Sequence, residues 1–460
     1  MTAVSERARS FDRGLLPPLV LGAVLNPINS TMVAVALVPI GIAFGASPAD
    51  TAWLVSGLYV ATAIGQPVVG RLVDTYGPRS LFLVGTTLVG LSGILGMVAP
   101  QLWVLVVSRV LLGFGTCAGY PAAMYLIRAE AARTGMASPA GVLAVLTVST
   151  QTIAVVGPTL GGLLIGVGGW PAVFAMNIPL AVIAFVLGAW KLPRTPRVEA
   201  APRLDYPGVV LFAAALLGVI VFLMSPSRWW LVPVAVVLGA VFAWRELRVP
   251  DPFLDLRLLA GNGPLLATYA RTLLAFVLSY AYLYGYTQWL QEGRGLSPSV
   301  AGLMLLPMSI TSLAVSALTG RSAGVRAKLV VGSLLQVVVC LGLLTFTDGT
   351  PVWMIVALSV LVGVPNGLIN LANQNALYHQ ADPARIGASS GLFRTFGYLG
   401  AIIASLGNGT FLAERADTAG LHDLAVFLLL VALVFVVVTL VDRSLRHVVP
   451  TTDDRVPEEP

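Results

Sequence analysis

The sequence predicts an all-α, polytopic membrane protein, and three observations lead to that fold class. The chain is 57% hydrophobic and only 10% charged, whereas soluble domains carry roughly 25% charged residues. Its mean hydropathy is +0.88. Uncharged runs recur along the whole chain, and many reach the roughly 20 residues that a helix needs to cross a bilayer. The net charge of +6 comes from basic residues scattered between these runs, so the expected partner is the lipid bilayer and not a nucleic acid.

Cutting the uncharged runs at turn residues predicts 14 transmembrane helices. The first run follows Arg7, Arg9 and Arg13 without a cleavage pattern, so we expect a retained span and not a signal peptide. Residues 134–190 are too long for one helix, and Gly168-Gly169-Trp170-Pro171 divides them into spans five and six. The other predicted spans are 14–43, 51–70, 80–99, 103–127, 206–224, 229–245, 264–288, 298–319, 328–347, 351–376, 387–411 and 423–441.

Polar, proline-containing stretches divide the chain into four parts. These are an amino-terminal six-helix half (1–190), a linker with two additional central spans (191–262), a carboxy-terminal six-helix half (263–445) and a tail (446–460). With the amino terminus in the cytoplasm, 21 of the 27 Lys and Arg residues lie on that side, three lie within spans, and Arg228, Arg294 and Arg415 lie outside. Basic residues favour the cytoplasmic side. We therefore expect a multi-pass protein of the cell inner (plasma) membrane with both termini cytoplasmic.

A series of short motifs resembles the major facilitator superfamily of transporters. The loop from Gly70 to Arg79 reads Gly-x-Leu-x-Asp-x-x-Gly-x-Arg, which is similar to the signature loop of that family. Arg109-Val-Leu-Leu-Gly113-Phe-Gly115 and Gly157-Pro158-Thr-Leu-Gly161-Gly162 resemble further family motifs in the correct order. With fourteen spans, the resemblance narrows to the drug/proton antiporter branch. It implies two six-helix halves that rock around a central cavity, with the binding site near the bilayer midplane.

The resemblance also implies gating residues. In the first loop, Gly70, Asp74, Gly77 and Arg79 would form a cytoplasmic gate, with Asp74 docking at the amino terminus of span thirteen, where a helix favours an anion. The alternative is a solvated loop charge.

In span five, Gly157 and Pro158 would bend the helix, because proline removes a backbone donor. Gly161 and Gly162 would leave a bare surface for close packing. The family reading ties this segment to a seal in an exporter, and the alternative is packing alone.

Polar residues inside spans mark the expected cavity, because leaving them in lipid without partners is costly. The alternative for each is an interhelical hydrogen bond, worth under about 1 kcal/mol in membranes. For the three asparagines of span twelve we favour the cavity, since a continuous polar face needs a polar neighbour. The candidate substrate-binding residues are Asn26, Asn29, Arg109, Thr116, Tyr120, Gln151, Tyr280, Tyr284, Asn366, Asn370, Asn373 and Arg394.

The coupling ion is left open. Asn29 stands where the antiporter branch typically has an aspartate, and no acidic residue lies deep in any predicted span. Three arginines, Arg109, Arg271 and Arg394, do lie within spans. We expect their partners to be Asn, Tyr or Ser side chains, helix carbonyls, water or a bound anion.

The function predicted from these patterns is secondary active transport of a small-molecule substrate, most simply export of small organic molecules by alternating access, with a proton or another ion as the coupling partner. The alternatives are an importer or facilitator of an anionic metabolite and, more remotely, a receptor or scaffold built on a transporter fold. The sequence carries no metal-ligand cluster, phosphate loop or nucleophile motif. We therefore expect no enzymatic activity, no cofactor and no metal site.

Overall fold

The computed structural model describes residues 11–134, 140–194, 205–224, 228–250, 252–254, 256–257, 261–319, 324–381, 386–412 and 416–446. Regular secondary structure within these ranges is entirely helical. The first nine helices are α1 (Leu16–Met32), α2 (Leu37–Phe44), α3 (Pro48–Tyr76), α4 (Pro78–Met97), α5 (Leu102–Thr116), α6 (Gly119–Thr134), α7 (Ala140–Gly168), α8 (Pro171–Ala175) and α9 (Asn177–Lys191).

Two central helices and a second group complete the described fold. The central helices are α10 (Tyr206–Met224) and α11 (Leu231–Glu246). The second group comprises α12 (Gly263–Ala281), a π-helical turn (Tyr282–Tyr286), α13 (Thr287–Glu292), α14 (Pro298–Met304), α15 (Leu306–Thr319), α16 (Val325–Leu343), α17 (Val352–Gln380), α18 (Ile386–Phe411) and α19 (Thr418–Val441).

The helices begin where the sequence supplies caps. Ser47 and Asp50 form a reciprocal capping box at the start of α3, and Pro48 occupies the first helical position. The side chains of Asn262, Ser297 and Asp417 accept backbone hydrogen bonds at the starts of α12, α14 and α19. These caps satisfy amides that have no partner inside the helix, and they fix the boundaries close to those predicted from the uncharged runs.

Ten helical segments in the described ranges are long and apolar enough to cross a membrane. A bent pair in α7, Val148–Ala154 and Val156–Gly168, makes an eleventh if it is one span, and its bend is 44°. Pro158 cannot donate to the carbonyl four residues earlier, which is that of Ala154, so the bend falls where a backbone bond is missing. Tyr206–Phe222 is a shorter apolar helix. The count of fourteen spans is therefore not established by length and composition.

The helices form two groups that meet along two seams. One group is α1–α9 and the other is α12–α19. Helices α3 and α18 pack together along the first seam, and α7 packs against α14 and α15 along the second. We call the side that carries the described chain ends, Phe11 and Arg446, the terminal side, and the opposite side, with the loops before α3 and α14, the far side.

The central helices α10 and α11 pack against each other, and α10 also contacts α3 and α18. Their ends on the terminal side are held by Asp205 and Glu246, which share the Arg245 guanidinium. The Leu254 amide donates to Glu246 at 2.8 Å, and the Phe253 amide donates to Asp205 at 3.3 Å. We call these three side chains and two amides the carboxylate clasp.

The two carboxylates of the clasp differ in acidity. Burial raises the pKa of Glu246 to about 7, and the neighbouring Asp205 adds to the increase. Burial also acts to raise the pKa of Asp205, but hydrogen bonds from Arg245 and the Gly208 amide outweigh it and lower the pKa below its usual value. The clasp therefore favours an ionised Asp205 beside a Glu246 that titrates near neutral pH.

Candidate functional site

A series of hydrogen bonds joins the two helix groups toward the far side. Along the first seam, the Ser56 hydroxyl donates to the Ser405 hydroxyl at 3.2 Å. Nearer the middle, the Tyr59 and Tyr284 hydroxyls lie 3.2 Å apart, and Tyr284 donates to the Ser30 carbonyl at 2.8 Å. These bonds hold the groups in contact across the interior.

The second seam is closed by direct contact between backbones. A Cβ atom placed on Gly162 would lie 2.6 Å from the Pro298 carbonyl oxygen, and one on Gly302 would lie 2.5 Å from the Pro158 carbonyl oxygen. The Ser299 hydroxyl donates to the Gly162 carbonyl at 2.7 Å. Only residues without a side chain permit this approach, so Gly162 and Gly302 allow α7 and α14 to seal the far side.

Gly157 and Gly161 make similar contacts, but with α1 and the turn after it, which belong to the same helix group. A Cβ on Gly157 would lie 1.9 Å from the Thr31 hydroxyl, and one on Gly161 would lie 2.7 Å from the Met32 carbonyl oxygen. The glycine motif therefore packs α7 against its own group through Gly157 and Gly161, and against the other group through Gly162.

A cavity of about 200 Å³ lies between the groups and is partly open. Most of its wall comes from α12, α15, α16 and α17, while Thr31, Ala154 and Pro158 close it from the first group. Of the candidate residues, it brings together Tyr280, Asn366, Asn370 and Asn373, with Pro158 from the glycine motif. The remaining lining residues are Thr272, Ala275, Phe276, Ser279, Leu283, Met308, Ser309, Ser312, Gln336, Ile369 and Phe393.

The asparagines of α17 face this cavity with their amide groups partly free. The Ser279 hydroxyl donates to the Asn366 side-chain oxygen at 2.8 Å, and the Gln336 amide donates to the same oxygen at 3.4 Å. Asn370 accepts a bond from Gln374 at 3.4 Å. None of the three asparagines donates a hydrogen bond to another residue in the described ranges, so their amide nitrogens can donate to a ligand.

The sequence did not single out Ser279 and Gln336. The signal in the sequence is weak, because each has one polar residue on its own helix face, Thr272 seven positions before Ser279 and Ser333 three positions before Gln336. Their role becomes visible only when α12, α16 and α17 come together around the Asn366 side chain.

Arg271 has a carboxylate partner, which corrects the expectation that its partners exclude acids. Its Nη1 atom donates to Asp442 at 2.6 Å, its Nη2 atom to Thr268 at 2.6 Å and its Nε atom to Asn373 at 3.3 Å. Asp442 caps the last turn of α19 at the end of an apolar run, so no spacing in the sequence marks it as the partner of an arginine. The fold brings it to Arg271 from 171 positions away.

Arg109 lies inside the first helix group and does not line the cavity. Its Nε atom donates to the Leu54 carbonyl at 2.9 Å, and its Nη1 atom donates to the Asn29 carbonyl at 3.2 Å. Its Nη2 atom is buried without a partner in the described part of the chain. The Asn29 side chain donates to Asn177 at 2.6 Å, so the position where the resemblance expects an acid joins α1 to α9.

Other candidate residues also join helices. The Asn26 amide donates to the Thr116 hydroxyl at 3.0 Å. Arg394 of α18 lies over the Tyr120 ring, 3.5 Å from its centre, which connects the two groups toward the terminal side. Tyr284 belongs to the π-helical turn and bonds across the seam as described above.

The predicted terminal-side gate is described in part. Gly77 has a φ of 84°, in the region that favours glycine, and it joins α3 to α4. Arg79 donates to the Ala189 carbonyl at 2.6 Å. A Cβ on Gly70 would meet no atom within 4 Å. The side chains of Asp74 and Gln151 and the loop that contains Arg415 are outside the part of the chain that the structure describes. The roles proposed for them therefore stay predictions.

The two helix groups consist largely of helices long enough to cross a membrane, and they enclose a polar cavity between them. This architecture is that of a polytopic membrane transporter. The family model of the Major Facilitator Superfamily matches residues 19–405. The chain belongs to this superfamily, and it is a transporter and not an enzyme.

Relatives cover nearly the whole chain. It is 35% identical over 441 residues to an uncharacterized MFS-type transporter, YwoD, of Bacillus subtilis, covering 93% of this chain and 95% of that one. It is 29% identical over 417 residues to the tetracenomycin C resistance and export protein of Streptomyces glaucescens, covering 86% and 75% of the two chains. It is 27% identical over 442 residues to the methylenomycin A resistance protein of Streptomyces coelicolor, covering 91% and 89%.

Solved structures share the fold. A crystal structure of the nucleoside transporter NupG (D323A mutant) superposes with a TM-score of 0.65 at 10% identity, covering 92% of this chain and 99% of that chain. A proton-dependent oligopeptide transporter superposes with a TM-score of 0.62 at 13% identity, covering 94% and 98%. At this identity the likeness concerns the fold alone.

Proposed function

We propose that this chain is a secondary active exporter of small organic molecules that works by alternating access. The observation that carries the proposal is the polar cavity that lies between the two helix groups beneath a sealed far side. The name of the tetracenomycin C resistance and export protein supports export as the direction, and the methylenomycin A relative is likewise a resistance protein. A drug/proton antiporter-like branch with fourteen spans fits these relatives, and α10, α11 and α18 would be the spans beyond the eleven.

In this proposal the moving parts are the halves 1–190 and 263–445, while the central pair within 191–262 flanks the first seam. Both termini are cytoplasmic and the protein lies in the plasma membrane, so the far side faces outward. The sealed glycine seam then corresponds to a state that is closed to the outside. A terminal-side gate built from Gly70, Asp74, Gly77 and Arg79 would close when the far side opens.

The alternative of an anionic substrate finds little support in the cavity. Arg271 already has Asp442 as its partner, and Arg109 donates to two backbone carbonyls within its own group. A proton or another ion remains the proposed coupling partner. Its binding site would lie outside the cavity wall, which contains no Asp, Glu, His, Lys or Arg.

An efflux screen tests the proposal. Cells that express the wild type, cells with an empty vector and cells that express Asn366→Leu are loaded with a panel of labelled organic compounds, with equal membrane levels of the two proteins. The wild type should retain less of at least one compound than either control, since leucine removes the amide that organises the cavity. Equal retention of every compound would contradict export, and greater retention in wild-type cells would indicate import.

A further inference from the structure

The wall of the cavity is polar but carries no formal charge. Its eighteen lining residues include ten with hydroxyl or carboxamide groups and none with a formal charge. An ion that leaves water pays a large desolvation cost unless the site supplies a counter-charge. Carboxamides and hydroxyls can replace the hydrogen bonds that a neutral polar molecule makes with water, at little net cost.

Two arginines lie next to residues of the cavity wall, and each already has a partner in the protein. Arg271 contacts the lining residue Asn373, but its guanidinium is fully buried and paired with Asp442, so the pair is neutral as a whole. Arg394 follows the lining residue Phe393 in the chain, and its guanidinium lies over the Tyr120 ring of the other helix group. The charge of Arg271 is therefore balanced by Asp442, and Arg394 faces the Tyr120 ring and does not line the cavity.

The remaining wall is aromatic and aliphatic. The rings of Phe276 and Tyr280 stack with centres 5.4 Å apart, and Phe393 also lines the space. A cavity of about 150 Å³ suffices to hold benzene, so the 200 Å³ here admits a ring with a short substituent, and the open side leaves room for a second ring.

We infer, on the basis of the proposed transport function, that this cavity selects uncharged aromatic molecules that carry a carboxamide or hydroxyl group, and that it discriminates against cations and anions alike. The ring packs against Phe276 and Phe393. The polar group accepts hydrogen bonds from the amide nitrogens of Asn366 and Asn370.

Three fluorescent probes that differ only at one end test this selectivity. Dansylglycinamide is neutral, dansylglycine is an anion, and N-(2-aminoethyl)dansylamide is a cation at neutral pH. Binding to the purified full chain is followed by the rise in dansyl fluorescence, and export is followed from loaded cells. We expect the amide to bind at least about 10-fold more tightly than either ion, since neither ion finds a counter-charge.

A charge-changing pair of variants makes the test independent of folding defects. Asn370→Asp puts a carboxylate into the wall at an exposed position, and the aspartate side chain is nearly isosteric with the asparagine that it replaces. It should reverse the preference, so that the cation binds more tightly than the amide and the anion binds more weakly than before. Gln101→Glu adds the same charge at an exposed position outside the cavity, and it should keep the wild-type order.

Equal or tighter binding of either charged probe by the wild type would overturn the inference. If that charged probe is also exported, the proposed transport function stands without this selectivity. Failure of all three probes to bind would remove the cavity as their site. If nothing in the wider compound panel is exported either, the transport proposal fails too.

Discussion

Replacing Gly162 with alanine should open the far side, because the new methyl group enters the contact between α7 and α14. Its Cβ would lie 2.6 Å from the Pro298 carbonyl oxygen and 2.9 Å from the Ser299 Cα atom, whereas ordinary contact begins at 3.4 Å. Both neighbours are backbone atoms and cannot rotate away. The helices must therefore separate by the difference between 3.4 and 2.6 Å, which is about 0.8 Å, and this stretches the Ser299–Gly162 hydrogen bond from 2.7 Å toward about 3.5 Å.

Overpacking of this kind costs about 1–3 kcal/mol. In the proposed mechanism the cost falls only on the state in which the seam is closed. The equilibrium should therefore shift toward the open far side by a factor of about 5 to 150.

The assay measures the reactivity of a cysteine introduced by Ser56→Cys in a chain whose two native cysteines, Cys117 and Cys340, are replaced by alanine. Ser56 is fully buried in the first seam, so a maleimide reaches it only when the far side opens. In detergent-solubilised protein, Gly162→Ala should raise the labelling rate at least about fivefold, the lower end of the shift given by 1 kcal/mol.

Gly166→Ala is the matched control, one turn further along the same helix. Its Cβ would meet only the Ser299 hydroxyl, at 2.9 Å. That side chain can rotate away, so this variant gives up at most the Ser299–Gly162 hydrogen bond and leaves the two backbones in contact. Both substitutions replace glycine with alanine and therefore raise the helix propensity by the same amount. The effect of helix propensity on stability cancels when the two variants are compared. Equal labelling rates in the two variants would refute the assignment of Gly162 to the seal.

Three further predictions concern other parts of the fold. Arg109→Lys should lower the free energy of unfolding by about 1.5–3 kcal/mol, because lysine cannot reproduce the forked bonds of a charged donor, and it should reduce export of every transported compound by the same factor. Glu246→Gln should remove a pH dependence of the melting temperature, which in the wild type should fall as pH rises from 6 to 8.5. A cysteine introduced by Gln101→Cys should react with an impermeant maleimide in intact cells, while one introduced by Arg446→Cys should react only after permeabilisation.

The sign of the pH effect follows from the pKa of Glu246. Burial raises this pKa from 4.5 to about 7 in the folded protein, so the fold favours the protonated form. The stabilisation is complete below pH 4.5 and is lost as pH rises through about 7. The lowered pKa of Asp205 acts in the opposite direction, but only below its usual value of 3.8, outside the range measured.

Each of these predictions has an outcome that contradicts it. Selective loss of anionic substrates in Arg109→Lys would place that arginine in the binding site instead of the helix core. An unchanged pH dependence in Glu246→Gln would assign the effect to another group. Labelling of the Gln101→Cys protein only after permeabilisation would invert the proposed orientation.

The sequence predicted the helices well because their limits depend on local properties. Uncharged runs fix where lipid can cover a helix, and capping residues such as Ser47 and Ser297 fix where it starts. The predicted span 298–319 is thus observed as Pro298–Met304 followed by Leu306–Thr319. The bend near Pro158 was also predicted from local chemistry, since a missing backbone donor acts within one turn.

The contents of the cavity depend on tertiary packing and were harder to predict. Helical spacing places Asn26, Asn29 and the asparagines of α17 on polar stripes, but it cannot distinguish a stripe that faces a cavity from one that bonds to a neighbouring helix. The structure places Asn29 against Asn177 and the α17 stripe on the cavity. The Arg271–Asp442 pair likewise joins residues that only the complete fold brings together.

The most direct test of alternating access measures distances between the helix groups on both sides at once. Spin labels are attached at Gln101→Cys and Ala419→Cys on the far side, and in a second protein at Arg128→Cys and His379→Cys on the terminal side. Pulsed electron spin resonance then gives the distance distributions with and without dansylglycinamide. The account predicts two populations for each pair, with the longer far-side distance gaining weight as the longer terminal-side distance loses it. A single fixed distance for both pairs under every condition would contradict it.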